Sequence, residues 1–320
     1  RQAAEILMRE LADGADRAMA VAELLLCLDN GLDGCRQLVA AGDLFRKRFQ
    51  SIAALRCYEK ALEDLERLGR SEDGDQLVTA ATIQYSKLFS ATTDAERILA
   101  ALKRAIAIAA ERQWKAPWSL LKMHLAKQLW LGSRHRSALT HFNEGWAVSG
   151  EINDIGYRRS ARVFSMYFLF WQGRFKEAVA SYEGHMPEIQ DMPESAFPLM
   201  AQITIGVCYA DCGNVAHGVG MLEALRESCT RKGNLSKAAH ALLNIGLSCA
   251  ETGRIEESMP HFETALSHRR ECHDVLVEIS ALLGLAYCHF KFKQPRRAVN
   301  YLGAFKKLSR HAHMAVSYTH

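Results

Sequence analysis

A small residue followed four positions later by a bulkier one returns every forty residues along this chain: Ala138/Phe142, Ala178/Tyr182, Gly218/Leu222, Ser258/Phe262 and Ala298/Leu302. A fixed period of that length marks stacked supersecondary units, each too small to bury its apolar face without a neighbour. Only 6 Pro are present and no well-formed run of alternating β-branched residues appears, so helices are predicted throughout. A length of 320 residues would ordinarily suggest two compact domains, but a stacked array grows in one direction and escapes the usual limit on core size. The pattern therefore predicts one elongated all-α domain over 1–320. Within it, 1–37 forms an N-terminal cap or degenerate repeat, 38–305 holds the repeats and 306–320 is a C-terminal tail.

Each unit reads as a helix A, a tight turn and a helix B. The turns align as Trp130-Leu131-Gly132-Ser133, Trp171-Gln172-Gly173-Arg174, Asp211-Cys212-Gly213-Asn214 and Glu251-Thr252-Gly253-Arg254, with Phe292-Lys293-Gln294-Pro295 last. Glycine just past an apolar run stops a helix, because it enters the left-handed region without a Cβ penalty. In this alignment the four turn glycines lie 41, 40 and 40 residues apart. Helix A carries an apolar-Gly pair and a third residue one turn on, as in Ile205-Gly206/Tyr209, Ile245-Gly246/Cys249 and Leu283-Gly284/Tyr287. Helix B carries the small-to-bulky pair, whose small member lets the helices approach while the bulky one fills the gap between units. Two earlier units use Ala41-Gly42/Phe45 with Ala54, Tyr58 and Ala61, and a helix over 76–90 with Ile98, Leu102 and Ala105. Two further amphipathic helices are predicted over 2–12 and 17–28, and the Gly-, Ser- and Asp-rich stretch 68–76 is the predicted loop and hinge.

These motifs resemble the tetratricopeptide repeat, whose pattern runs Leu-Gly, then Tyr, then Ala-x-x-x-Phe. The resemblance implies a right-handed superhelical solenoid of about seven or eight antiparallel helix-turn-helix units. The first-helix Trp and most closing prolines of that family are absent, and the period exceeds its usual length of about 34 residues. HEAT-type units are the alternative fold at this period. Pentatricopeptide units read RNA bases with polar side chains at positions that here hold Met123, Val163, Ile203, Leu243 and Leu283.

Composition narrows the function classes. Hydrophobic residues at 49% and charged ones at 24% describe an ordinary folded chain. The longest apolar runs are too short for a membrane span, and a cytoplasmic location is expected. The 9 Cys lack paired spacing and read as reduced, buried thiols, with no metal site and no cofactor expected. No phosphate-binding glycine loop, dinucleotide fingerprint or zinc-protease helix occurs, and the histidines are scattered, so no enzyme is expected. Net charge is +4, yet after Glu278 there is no acidic residue while Lys291, Lys293, Arg296, Arg297, Lys306, Lys307 and Arg310 follow. Arg296, Arg297, Lys306 and Lys307 form the candidate basic patch.

In such a stack the A helices line the concave wall. The candidate binding face is Lys127, Trp130, Tyr167, Phe170, Val207, Asn244, Leu247, Tyr287 and Phe290, a mainly apolar trough suited to an extended or helical segment. The competing reading places these rings between repeats as core. By resemblance, the long repeats and the start at Arg1 instead of Met are similar to the sensor segment of bacterial multidomain transcription regulators, either signal-transduction ATPases of the maltose-activator type or enhancer-binding regulators. The expected role is non-catalytic recognition of a protein, a peptide or a neighbouring domain, with a small effector as a further ligand and no membrane contact. A free-standing adaptor and a nucleic-acid-binding solenoid using the basic end are the alternatives.

Overall fold

The computed structural model describes residues 14–48, 50–88, 95–189, 199–268 and 274–311. The predicted helix over 2–12 and most of the tail lie outside them. The described residues are helical apart from their turns and form two compact units, Arg1–Ala161 and Arg162–His320.

In the N-terminal unit, α1 (Ala15–Leu25) precedes three hairpins: α2 (Leu32–Lys47) with α3 (Ser51–Leu68), α4 (Glu72–Tyr85) with α5 (Ala95–Glu111), and α6 (Lys115–Leu131) with α7 (His135–Ser149). The boundary between units falls within α8 (Ile155–Trp171). The C-terminal unit continues through α9 (Phe175–Ile189), α10 (Leu199–Asp211), α11 (Val215–Arg231), α12 (Leu235–Glu251), α13 (Ile255–Ser267), α14 (Val275–Lys291) and α15 (Pro295–His311). The A helices α2, α4, α6, α10, α12 and α14 each pack on the B helix that follows, and α14 packs on both α13 and α12.

The hairpin turns repeat more regularly than the glycines that mark them. Positive φ occurs at Ser133 (60°), Gly173 (71°), Gly213 (93°), Gly253 (78°) and Lys293 (57°), so 173 − 133, 213 − 173, 253 − 213 and 293 − 253 all equal 40. The 41-residue step expected from Gly132 is thus corrected, because Gly132 sits at φ −85° and its neighbour Ser133 takes the left-handed position. The register is held by the backbone: Arg134, Arg174, Asn214, Arg254 and Gln294 each donate N–H to the carbonyl five residues back at 2.8–2.9 Å, which satisfies a helix-end acceptor.

The expected loop over 68–76 is also shorter than the composition suggests. Only residues 69–71 leave the helices, and α4 begins at Glu72. Ser71 accepts a hydrogen bond from the Gly74 amide at 3.1 Å, and Glu72, Asp73 and Asp75 occupy the first turn, where negative charge favours a helix start. α4 accordingly ends at Tyr85, earlier than the predicted 76–90.

The small-to-bulky pairs set the approach of the helices. Tyr58 lies fully buried against Gly42, where an added Cβ would come within 2.8 Å of the ring. Phe262 is 1% exposed and its ring meets Gly246 of its own A helix and Gly284 of the next; a Cβ at those positions would stand 2.9 and 2.6 Å from it. At Gly218 the neighbour is backbone, with a Cβ placed 2.3 Å from the Gly206 carbonyl oxygen. These contacts explain why the repeat needs glycine or another small residue on one side and a ring or Leu on the other. The five positions weighed against RNA reading follow the same logic. Met123, Val163, Ile203 and Leu243 are buried and Leu283 is half-buried.

Candidate functional site

The candidate face changes character along the chain. In the N-terminal unit Lys127 and Trp130 are half-buried, and the Trp130 ring lies 4.5 Å from that of His135 just across the turn. In the C-terminal unit Tyr167 is half-buried among Phe164 at 6.3 Å and Trp171 at 5.8 Å, and burial pushes its hydroxyl pKa up. Phe170 sits 5.7 Å from Phe175, and Val207 packs on the core that contains Leu222.

Further on, the same places open to solvent: Leu247 is 44% exposed, Tyr287 42% and Phe290 67%. Phe290 holds the place of Trp130, Phe170, Ala210 and Ala250 in earlier repeats, where the two rings are half-buried and the two alanines buried, and it is the most exposed of the five. Lys291 extends its ammonium over the Tyr287 ring at 5.2 Å from the centroid, a contact that adds positive charge to the aromatic face. Asn244, half-buried one turn before Leu247, donates from Nδ2 to the His240 carbonyl at 2.7 Å.

A polar network that the sequence reading missed lies at the start of these A helices. Asp274 caps α14, accepting from the Leu276 and Val277 amides at 3.1 and 3.4 Å. Its other oxygen accepts from Ser236 Oγ at 2.9 Å and from His240 Nε2 at 3.1 Å. Burial pushes the Asp274 carboxyl up, but the hydrogen bonds and charges of His240, Lys237 and Ser236 outweigh it and hold the group well below the usual carboxylate range. Burial in turn holds His240 below its ordinary value. Ser236 and His240 therefore both donate to one carboxylate oxygen. The network fixes two successive A helices. Its only signal in the sequence is an Asp immediately before an apolar helix, a capping pattern.

Arg296, Arg297, Lys306 and Lys307 are exposed on α15. Among the described residues no cluster of His, Cys, Asp and Glu is arranged to hold a metal ion, and no helix is long and apolar enough to cross a membrane. Cys208, Cys249 and Cys288 are buried, and burial raises their thiol pKa values, that of Cys208 to about 12. Cys272 lies outside the described residues.

Residues 239–272, spanning most of α12 and all of α13, match the tetratricopeptide repeat family. No curated protein sequence matches the chain. Among solved structures it is similar to a Rap protein complexed with competence and sporulation factor, at TM-score 0.69 and 14% identity over 93% of this chain and 80% of that one. It is also similar to the Rap conjugation gene regulator of plasmid pLS20 in complex with a Phr peptide, at TM-score 0.62 and 12% identity over 97% and 80%. A third is a signal transduction ATPase with numerous domains carrying a tetratricopeptide repeat sensor, from Pyrococcus horikoshii, at TM-score 0.58 and 14% identity. The match covers 97% of this chain and 48% of that protein. The fold is thus a tetratricopeptide-like array of helical hairpins.

Proposed function

We propose that this tetratricopeptide-like chain is a non-catalytic regulatory module that recognises a protein or peptide segment through the exposed A-helix face of its C-terminal unit. The observation that carries the reading is the exposure of Leu247, Tyr287 and Phe290 on two A helices that pack directly on one another, at positions filled by half-buried or small residues in earlier repeats. Bulky apolar groups held on rigid helices lose little entropy on binding and suit an apolar segment of a partner. The similarity to the Rap conjugation gene regulator solved in complex with a Phr peptide supports a peptide as the ligand class.

The finer reading follows the sequence. Residues 1–320 act as a single α-solenoid within a larger bacterial signalling or transcription regulator, located in the cytoplasm. Occupation of the face biases a neighbouring ATPase or DNA-binding output by stabilising one of two states. The similarity to 48% of an ATPase of that class that carries a tetratricopeptide repeat sensor supports this arrangement, and a free-standing adaptor is the alternative. The test is selection of peptides from a displayed random library on the full chain, repeated with Leu247→Ser/Phe290→Ser. The reading expects apolar peptides that compete with one another and are lost with the double variant. Peptides retained by that variant would remove the face from the account.

A further inference from the structure

The last described B helix, α15, presents to solvent a face that the preceding B helix buries. On α13, Phe262 is 1% exposed beneath α14, and Met259 packs on the same core, which α14 completes with Val277, Ala281, Leu285 and Cys288. The residues forty positions on are Val299 and Leu302, 63% and 45% exposed. Ala298, the counterpart of Ser258, is buried at 5%, so α15 is seated on its own A helix in the usual way while its outer side is bare. Around that apolar pair stand Arg296, Arg297, Lys306 and Lys307, all exposed, and the sequence supplies no carboxylate after Glu278.

We infer that the outer face of α15 docks a helix of a partner protein that is apolar along one side and rich in Asp and Glu along its edges. A helix is the required element because a helix covers the equivalent positions one layer earlier. Its contact line needs a small residue, since the Phe262 ring is admitted only where Gly284 has no Cβ. Acidic edges follow from the four cations flanking Val299 and Leu302, which steer and orient a carboxylate-bearing partner. A nucleic acid would meet the cations and leave the two apolar side chains in water, and the observations favour the protein helix for that reason.

The test uses the full chain and a fluorescein-labelled synthetic helical peptide with Ala and Leu on one face and Glu along both edges. Comparators are a scrambled peptide of the same composition, poly-glutamate and a DNA duplex. The expected result is saturable anisotropy for the helical peptide, weakened by about tenfold or more by Leu302→Asp or Val299→Asp and separately by Arg296→Glu/Lys306→Glu, with thermal melting unchanged. Absence of binding overturns the proposal. Poly-glutamate or DNA binding as tightly as the peptide, with no response to Leu302→Asp, identifies a polyanion surface and also overturns it. Self-association abolished by Leu302→Asp makes a second copy the occupant, and peptide binding that appears only on deleting 312–320 makes that segment of the same chain the occupant. Either outcome contradicts the partner helix.

Discussion

The two units build the same hairpin with different chemistry between its layers. In the N-terminal unit carboxylates tie helices far apart in sequence. Asp64, 1% exposed, accepts from Asn30 at 2.6 Å and Lys60 at 3.0 Å and pairs with Arg67. Asp75 accepts from Arg70 at 2.6 Å and from Arg112, at the end of the following B helix, at 2.7 Å. Outside the core, Arg97 pairs with Glu59 at 3.4 Å and also with Glu63, and Arg104 reaches Glu66 at 3.2 Å, so α5 is laced to α3. In the C-terminal unit Arg174–Glu177, Arg226–Glu223 and Arg254–Glu257 join neighbours three residues apart. Asp274 with Ser236 and His240, and Glu183 with Tyr209, do bridge helices, but the layers close chiefly through Phe262 with two glycines, Leu222 with Gly206, and a line of buried alanines. Packing against glycine leaves no spare volume, whereas ion pairs tolerate adjustment but respond to salt and pH. The lesson is that one period specifies the geometry of the stack and leaves open how each interface is held.

The largest expected effect strikes the C-terminal unit. Phe262→Ala empties a site shared by two A helices and should cost about 3–5 kcal/mol, read by denaturant unfolding. Asp75→Ala in the N-terminal unit removes charge-assisted hydrogen bonds whose arginine partners are partly exposed and can return to water. Its expected cost is lower, about 1.5–3 kcal/mol. If Asp75→Ala proves the more damaging of the two, the contrast between the units is reversed.

Much of this architecture was legible in the sequence and some of it was not, for physical reasons. The forty-residue beat and the apolar-Gly pairs located α10 to α15 because steric need for a small residue leaves a mark at a fixed position. The turn register at Gly132 misled, since a glycine beside the left-handed site looks the same in sequence as one on it, and Ser133 adopts that conformation under the demands of the following hairpin. The start of α4 was hidden because Ser, Asp and Gly serve both loops and helix caps. The candidate face was legible as a row of positions. Its exposure was not, because one register position carries Trp130 and Phe170, each half-buried beside a ring just across the turn, and also Phe290, which is 67% exposed. The lacing of α5 to α3 pairs residues that no local pattern joins.

Salt provides a smaller and more general test of the contrast. Raising ionic strength should speed amide exchange in α3 to α5 more than in α10 to α13, since the exposed cross-helix pairs of the first group are each worth about 1 kcal/mol or less and are screened. Equal responses would show that the lacing contributes nothing.

The pH dependence carries a further difference. His124, buried on α6 with its Nδ1 2.8 Å from Ser86 Oγ, has a pKa held well below its ordinary value, first by burial and then by the charges of Lys87 and Lys127. The unfolded chain therefore takes up a proton near pH 6.5 that the folded one refuses. This site's contribution is complete above that pH, and stability falls as pH drops below it, by up to about 1.4 kcal/mol per pH unit. His124→Gln should flatten the stability profile of the N-terminal unit between about pH 6.5 and 5, whatever its effect at neutral pH. An unchanged slope would show that His124 titrates alike in both states.

The central claim is that Leu247 and Phe290 are exposed for recognition and hold little of the core, and measuring melting and peptide binding on the same preparation of Leu247→Ser/Phe290→Ser tests it directly. The account predicts a melting temperature within about 2–4 °C of the parent, equivalent to about 1 kcal/mol, together with loss of the selected peptides. A variant that melts far lower yet still binds them would contradict it.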